Sequence, residues 1–294
     1  MVCSLDTEPI PGHLRDAWVR ELAGGCNVVH CAETLPQEPA ESPEFWPIWR
    51  NAIRRYVPDP IDYVFASEPY GERLAAELDA LFIPFDLRRE LCPTSGTAVR
   101  ADPFENWAYI PECVRPHFVK RIAILGPEST GKSTLARGLA AAFDTAYAWE
   151  HARPLLDLKH GRCDADDIPL IARSQRALED TMARRANRIL FCDTSLLLTM
   201  IWSEVLFGAC PTWIQQAARR RYDLTLLLDV DVPWIDDDQR YFPDQHQREA
   251  FFRRCRSELD QLGHPYVIIR GDYAERTAAA IDAVHRHFGI APGQ

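Results

Sequence analysis

The sequence predicts an α/β protein made of two parallel-sheet domains, and three observations point there. Short apolar runs alternate with helical periods along most of the chain, which is the pattern of strands buried on both faces and covered by helices. Residues Gly126 to Ser133 fit G-x-x-x-x-G-K-[ST] and stand between one such run and one such period. The periodicity breaks once, between residues 111 and 120, where Pro111, Pro116 and several charged residues cluster. That break places the boundary near residue 118 and gives domains 1–117 and 118–294.

Taken in order, the first domain opens with a helical face formed by Leu14, Trp18, Val19 and Leu22. Residues 27–31 and 62–66 read as short buried strands, with a helix over 72–78. Nothing ahead of the first helix supplies the strand and phosphate-binding turn with which a nucleotide-binding α/β domain ordinarily opens. The stretch from Pro36 to Pro47 is rich in Pro and Glu but short, and it carries large aromatics. The second domain has five strand candidates, at 122–125, 145–149, 189–193, 224–229 and 266–269. Helices are expected at 134–143, 166–185, 247–262 and 274–288, so the ligand belongs at the carboxyl ends of a parallel sheet.

Composition narrows the function. A formal charge of −10, with no basic stripe, argues against general binding to nucleic acid or to an anionic membrane. No run of about 18 apolar residues or signal-peptide pattern is present, which leads us to expect a cytoplasmic protein. The nine cysteines are scattered without a C-x-x-C pair, and Cys192 reads as a small buried hydrophobe, as in a reducing compartment without a zinc site.

The loop from Gly126 to Ser133 carries the most chemistry. Its glycines let the chain wrap a polyphosphate so that successive N–H groups and the next helix N-terminus face one anion. Gly126, Glu128, Ser129, Thr130, Gly131, Lys132, Ser133 and Thr134 are therefore expected to bind ATP. Lys132 reaches the β- and γ-phosphates and the Ser133 hydroxyl ligates Mg²⁺ in such loops. There are only three lysines against thirty arginines, so a lysine at this position is informative.

Other candidates sit near strand ends. Glu150, after the second strand of this domain, is placed to orient or deprotonate an attacking hydroxyl. Arg153 could pair with it or touch phosphate. Asp193 closes an apolar run in the Walker B manner and is expected to support Mg²⁺ with Ser133. Trp234 with Asp236 and Asp237 could hold a flat cation by stacking and charge, although a solvated acidic loop is the plain alternative. Arg240 and Arg248 could close over a transferring phosphoryl group. In the first domain Ser95, Thr97 and Arg100 form a hydroxyl-rich turn suited to phosphate, or simply a helix cap.

Together these segments resemble the bifunctional NadR-type proteins of NAD metabolism, in which a nicotinamide-mononucleotide adenylyltransferase domain precedes a ribosylnicotinamide kinase domain. The resemblance runs through 126–134 (GPESTGKST), 150–153 (EHAR), 191–194 (FCDT), Trp202-Ser203-Glu204, Phe207-Gly208, 233–240 and Gly271-Asp272-Tyr273. Upstream it is carried by 36–39 (PQEP), Phe45-Trp46, 67–71 (SEPYG) and Ser95-Gly96-Thr97 with Arg100.

It implies a Rossmann-like nucleotidyltransferase domain followed by a P-loop kinase domain that moves the γ-phosphoryl of ATP to the 5′-hydroxyl of nicotinamide riboside. Lys132, Mg²⁺, Glu150, Asp193, Arg240 and Arg248 would then carry the chemistry, with Asp193 competing with Glu150 as the base. Trp234, Asp236 and Asp237 would hold the pyridinium ring. The H-x-x-H or T-x-x-H turn of such adenylyltransferases has no counterpart, since His13 and His30 stand alone. The upstream half is therefore expected to be partial, and inactive in adenylyl transfer unless the gene start lies further upstream. Ser195 and Asp238 also depart from the family pattern. The other reading left open is a nucleotide-sensing module without an acceptor. A GTPase switch is disfavoured, because no N-K-x-D is present and the D-x-x-G at Asp260 to Gly263 closes a helix.

Overall fold

The computed structural model describes residues 2–234 and 241–293, and the chain divides into two compact units, Met1–Cys113 and Val114–Gln294. Unit 1 runs β1 (Val2–Cys3), α1 (Gly12–Leu22), β2 (His30–Cys31), α2 (Phe45–Tyr56), β3 (Tyr63–Ala66), α3 (Tyr70–Leu78), β4 (Leu81–Pro84) and α4 (Gly96–Ala101). β1 pairs in parallel with β2, and β3 in parallel with β4. A strand thus precedes α1 where the sequence suggests none; two residues are too few to show a period. The helix α2 also emerges from the end of the Pro/Glu-rich stretch, with Pro47 in its first turn, where a missing N–H costs nothing. Its Ala52, Ile48, Trp49 and Tyr56 pack with Cys31 and Leu35.

Unit 2 contains α5 (Arg115–Phe118), β5 (Lys120–Leu125), α6 (Lys132–Ala142), β6 (Tyr147–Ala148), α7 (Ala152–Leu158), α8 (Asp167–Arg185), β7 (Ile189–Asp193) and α9 (Leu196–Phe207). These are followed by α10 (Thr212–Ala217), β8 (Leu224–Leu228), α11 (Gln245–Leu262), β9 (Tyr266–Ile269) and α12 (Tyr273–Phe288). The strands form one parallel sheet in the order β6-β7-β5-β8-β9. All five expected strands of this unit are there, the second shortened from 145–149 to Tyr147–Ala148, and the three inner ones show why: residues buried on both faces leave an apolar run. Ile122 to Leu125, Ile189 to Cys192 and Leu226 to Leu228 are at most 1% exposed.

This order decides where chemistry can occur. β5 is central, and the chain leaves it first toward β7 and β6 and later toward β8 and β9, so a crevice opens at the carboxyl ends where the winding reverses. The helix α9, absent from the sequence-level reading, follows β7 directly. Leu196 to Ile201 are all buried, so it has no polar face and no amphipathic period to detect. At the amino end of the sheet, buried Glu179 of α8 accepts the Tyr222 hydroxyl at 2.9 and 3.0 Å beside Arg121 and Arg220. That cluster ties α8 to the sheet on the side away from the crevice. Cys192 is fully buried, as expected. Among the described residues no helix is long and apolar enough to cross a membrane.

Candidate functional site

The loop between β5 and α6 has the backbone a phosphate cradle needs. Gly126 has φ 147° and Gly131 φ 83°. A Cβ on Gly126 would lie 2.8 Å from the Leu228 carbonyl oxygen, and one on Gly131 would lie 2.8 Å from the Tyr273 ring, so neither position accepts a side chain. The Thr130 hydroxyl donates to the Pro127 carbonyl at 2.8 Å and braces the turn from within. The Lys132 ammonium donates to the same carbonyl at 2.8 Å. α6 starts at Lys132 with no side chain capping it, leaving its first N–H groups directed at the loop.

Ser133 donates its hydroxyl to Asp193, the last residue of β7. Burial pushes the Asp193 carboxyl up to about 6, with the Glu150 carboxylate adding to the rise and the Ser133 bond and Lys132 opposing it. Its Oδ1 is buried without a hydrogen-bond partner among the described residues. Thr194 next to it has φ 84°, an uncommon conformation for a β-branched residue that costs about 1–3 kcal/mol and is characteristic of functional turns. Glu150, two residues beyond β6, pairs with the Arg153 guanidinium at 3.4 Å.

One cleft gathers these groups. Lys132, Glu150, Arg153 and Thr194 line it with the aromatic pair Trp202 and Tyr241, around a space of about 840 Å³ that includes open solvent. The Trp202 ring stacks on Phe242 at 5.2 Å and 14°, and its centroid is 6.0 Å from that of Tyr241. Ile168, Ile171 and Leu206 supply apolar surface beside these charged and polar groups, so the cleft offers both kinds of contact to a small molecule.

Several expected site residues lie elsewhere. Glu128 does reach the cleft, but its buried carboxylate accepts the main-chain N–H groups of Tyr241 and Phe242 at 2.9 and 2.5 Å. The Trp234 indole N–H points at the same carboxylate, 3.5 Å away, and Trp234 is not among the cleft's lining residues. The tryptophan facing the cleft is Trp202. Arg248, expected on a mobile solvated face, is 1% exposed and donates to the Val232 carbonyl at 3.3 Å and to Gln245 at 3.2 Å. It is packed into α11's inner face and holds the chain leaving β8, which corrects its assignment to a closing lid. Asp236, Asp237 and Arg240 lie outside the described residues. Thr134 is exposed in the first turn of α6.

In unit 1, Ser95 caps α4 by accepting the Ala98 N–H at 3.1 Å, and Arg100 donates to Thr97 at 3.1 Å, so this turn is satisfied by its own residues.

Sequence reasoning missed Arg276 on α12. This side chain is 1% exposed and donates to the carbonyls of Thr130 (2.5 Å), Asp229 (2.9 Å) and Gly271 (2.8 Å), and it pairs with Asp231. It joins the phosphate-type loop to the end of β8 and to the loop before α12. The available signal was its place one residue after the Asp272–Glu275 capping box, which fixes the start of α12.

Over residues 121–276, more than half of its length, the chain matches the AAA domain. It belongs to the AAA-domain family. The AAA-domain match spans β5 to α12, and with it the loop, Asp193, the cleft and Arg276. The AAA-domain chain is also 30% identical over 264 residues to the "Trifunctional NAD biosynthesis/regulator protein NadR" of Escherichia coli (strain K12). The same figures hold for the protein of that name from Salmonella typhimurium. Each alignment covers 84% of this chain and 63% of the relative, so the chain spans less than two thirds of the length of these curated relatives. In fold it is similar to a NadR protein solved in complex with NAD and AMP-PNP, at TM-score 0.75 and 21% identity, over 99% of this chain and 88% of that one. A NadR structure in complex with NR gives TM-score 0.76 at 22% identity, with the same coverage.

Proposed function

We propose that unit 2 is a magnesium-dependent kinase that transfers the terminal phosphoryl group of ATP to the 5′-hydroxyl of nicotinamide riboside, forming nicotinamide mononucleotide. One observation carries the reading: a single cleft brings the Lys132 ammonium of a glycine loop beside a carboxylate, Glu150, and an aromatic wall, Trp202 with Tyr241. Similarity to the NadR proteins, solved with an ATP analogue and with NR, supports the choice of nucleotide and acceptor.

Phosphoryl transfer asks the protein for position and charge more than for covalent chemistry. The loop amides and the α6 N-terminus would hold the phosphates, and Lys132 would turn from the Pro127 carbonyl toward them. The residues fit a magnesium ion, since the Ser133 hydroxyl and the unpartnered Asp193 Oδ1 are hard oxygen donors beside the loop. When bound, Mg²⁺ neutralises charge on the β- and γ-phosphates. Glu150 lines the cleft and Asp193 does not. Glu150 is therefore the group that orients the hydroxyl and takes its proton, and Asp193 serves the metal side.

The acceptor carries a pyridinium ring. Trp202 and Tyr241 would receive it, stacking and cation–π attraction contributing up to about 2 kcal/mol when water is excluded. Arg153, paired with Glu150, would keep that carboxylate aimed at the sugar.

The decisive assay incubates the protein with ATP and Mg²⁺, with and without nicotinamide riboside, and follows ADP and nicotinamide mononucleotide. ADP should form in step with the mononucleotide and only when the riboside is present. Riboside-independent ATP consumption with no mononucleotide would reject the kinase. Trp202→Ala should raise KM for the riboside by roughly tenfold or more, with KM for ATP within about twofold. Equal changes in both constants would remove Trp202 from the acceptor site; Trp202→Phe, which keeps a ring over Phe242, should recover most of the loss.

A further inference from the structure

We infer that Gln175 reads the acceptor: its side-chain NH₂ donates a hydrogen bond to an uncharged oxygen of the molecule bound in the cleft. The inference rests on the kinase reading above and goes on to assign specificity within it.

Gln175 lies on the inner face of α8 and is 1% exposed, yet it lines the cleft with Ile168, Ile171 and Glu150. Its Oε1 accepts the main-chain N–H of His151 at 2.9 Å. That bond settles which end of the amide is which, because an N–H can be satisfied only by the oxygen. The Nε2 is thereby turned the other way, and it has no partner among the described residues. A buried donor left unpaired is destabilising. Holding His151 requires only an acceptor, which a carboxylate or hydroxyl would supply equally well; a glutamine at this position adds a donor aimed away from that bond.

The surroundings restrict what the donor can meet. Ile168 and Ile171 offer no acceptor, and Glu150 is engaged with Arg153. The NH₂ group can donate only, so its partner must carry a lone pair. Lys132 and Arg153 balance Glu150 and Glu128 on the lining, so charge alone does not choose the partner; the proposed acceptor does, because it is a cation without an anionic oxygen. An uncharged oxygen remains. Nicotinamide riboside has three kinds, and its ribose ring oxygen, next to the carbon that bears the cationic nitrogen, is a poor acceptor, which leaves the ring carboxamide carbonyl and the sugar hydroxyls. Because His151 is adjacent to Glu150, the same side chain also sets the backbone from which the proposed base projects.

The test uses the full chain, nicotinamide riboside, its 2′-deoxy and 3′-deoxy analogues, and N-ribosylpyridinium, which lacks the carboxamide. Gln175→Glu keeps the shape and the acceptor for His151 while replacing the NH₂ by oxygen. It should raise KM for the riboside about tenfold or more and leave KM for ATP within about twofold. The analogue missing the partner oxygen should lose about the same factor with the wild type and nothing further with Gln175→Glu, which identifies the oxygen as carboxamide or sugar. An unchanged riboside KM in Gln175→Glu would overturn the inference. So would wild-type KM values that are equal for nicotinamide riboside and all three analogues, a result that needs no variant to fold. A wild type that does not phosphorylate the riboside would sink the kinase reading itself. A wild type that does, with Gln175→Glu indistinguishable from it, would sink only the role of Gln175.

Discussion

Lys132→Ala should lose acceptor-dependent phosphorylation by about a thousandfold, equivalent to roughly 4 kcal/mol of transition-state stabilisation. The ammonium is anchored by a single 2.8 Å bond to Pro127 inside the loop and borders the cleft that holds Glu150. On the proposed reading it is the loop's own cation, placed to meet the charge that accumulates on the leaving phosphates. Removing it should leave the fold intact, since the residue is half-buried at the start of α6 and braces no other element. Thermal unfolding should move by only a few degrees. Lys132→Arg should recover little, because a planar fork cannot replace a compact ammonium inside a closely wrapped loop. Turnover above a tenth of the wild-type value in Lys132→Ala would show that the loop does not carry the reacting phosphate.

Much of this arrangement is legible in the sequence, for identifiable reasons. The strands of unit 2 are buried on both faces and so leave apolar runs, and the glycines at 126 and 131 are required by close approach to Leu228 and Tyr273. Glu150, Arg153 and Asp193 could be picked out as candidates because a parallel sheet brings the carboxyl ends of its strands, and the residues after them, to one edge. What escaped depends on contacts between distant segments. Nothing near Glu128 in sequence shows that its carboxylate holds the N–H groups of Tyr241 and Phe242, 113 and 114 positions away. Arg248 carries a charge that places it in solvent by any periodicity argument, yet main-chain and side-chain acceptors let it be buried. Trp202 sits on a helix without a polar face, so its exposure to the cleft has no pattern to announce it. Gln175 is likewise a polar residue on an apolar stripe, and only its bond to His151 reveals the direction of its amide.

Arg276→Met should be the most destabilising single substitution near the site, at about 3–5 kcal/mol, or a fall of roughly 10 °C or more in the melting temperature of unit 2. The guanidinium satisfies the carbonyls of Thr130, Asp229 and Gly271, and methionine, of similar length, can donate to none of them. It also leaves Asp231 without its cation. Burial alone would raise the Asp231 carboxyl, but the Gly271 N–H and Arg276 together hold it below the usual carboxylate range. The three carbonyls belong to the loop, to the end of β8 and to the turn before α12, so the loss should also reach nucleotide binding. Kd for ATP, measured below the melting temperature, should weaken by more than Kd for the riboside, whose cleft Arg276 does not line. Arg276→Lys discriminates between charge and geometry. Lysine restores a positive charge beside Asp231 but cannot span three carbonyls from one planar group. If it recovered full stability and ATP affinity, the ion pair alone would account for Arg276. Recovery of less than half of the lost stability would show that the fork, by joining three backbone segments, is what keeps the loop in register with the sheet.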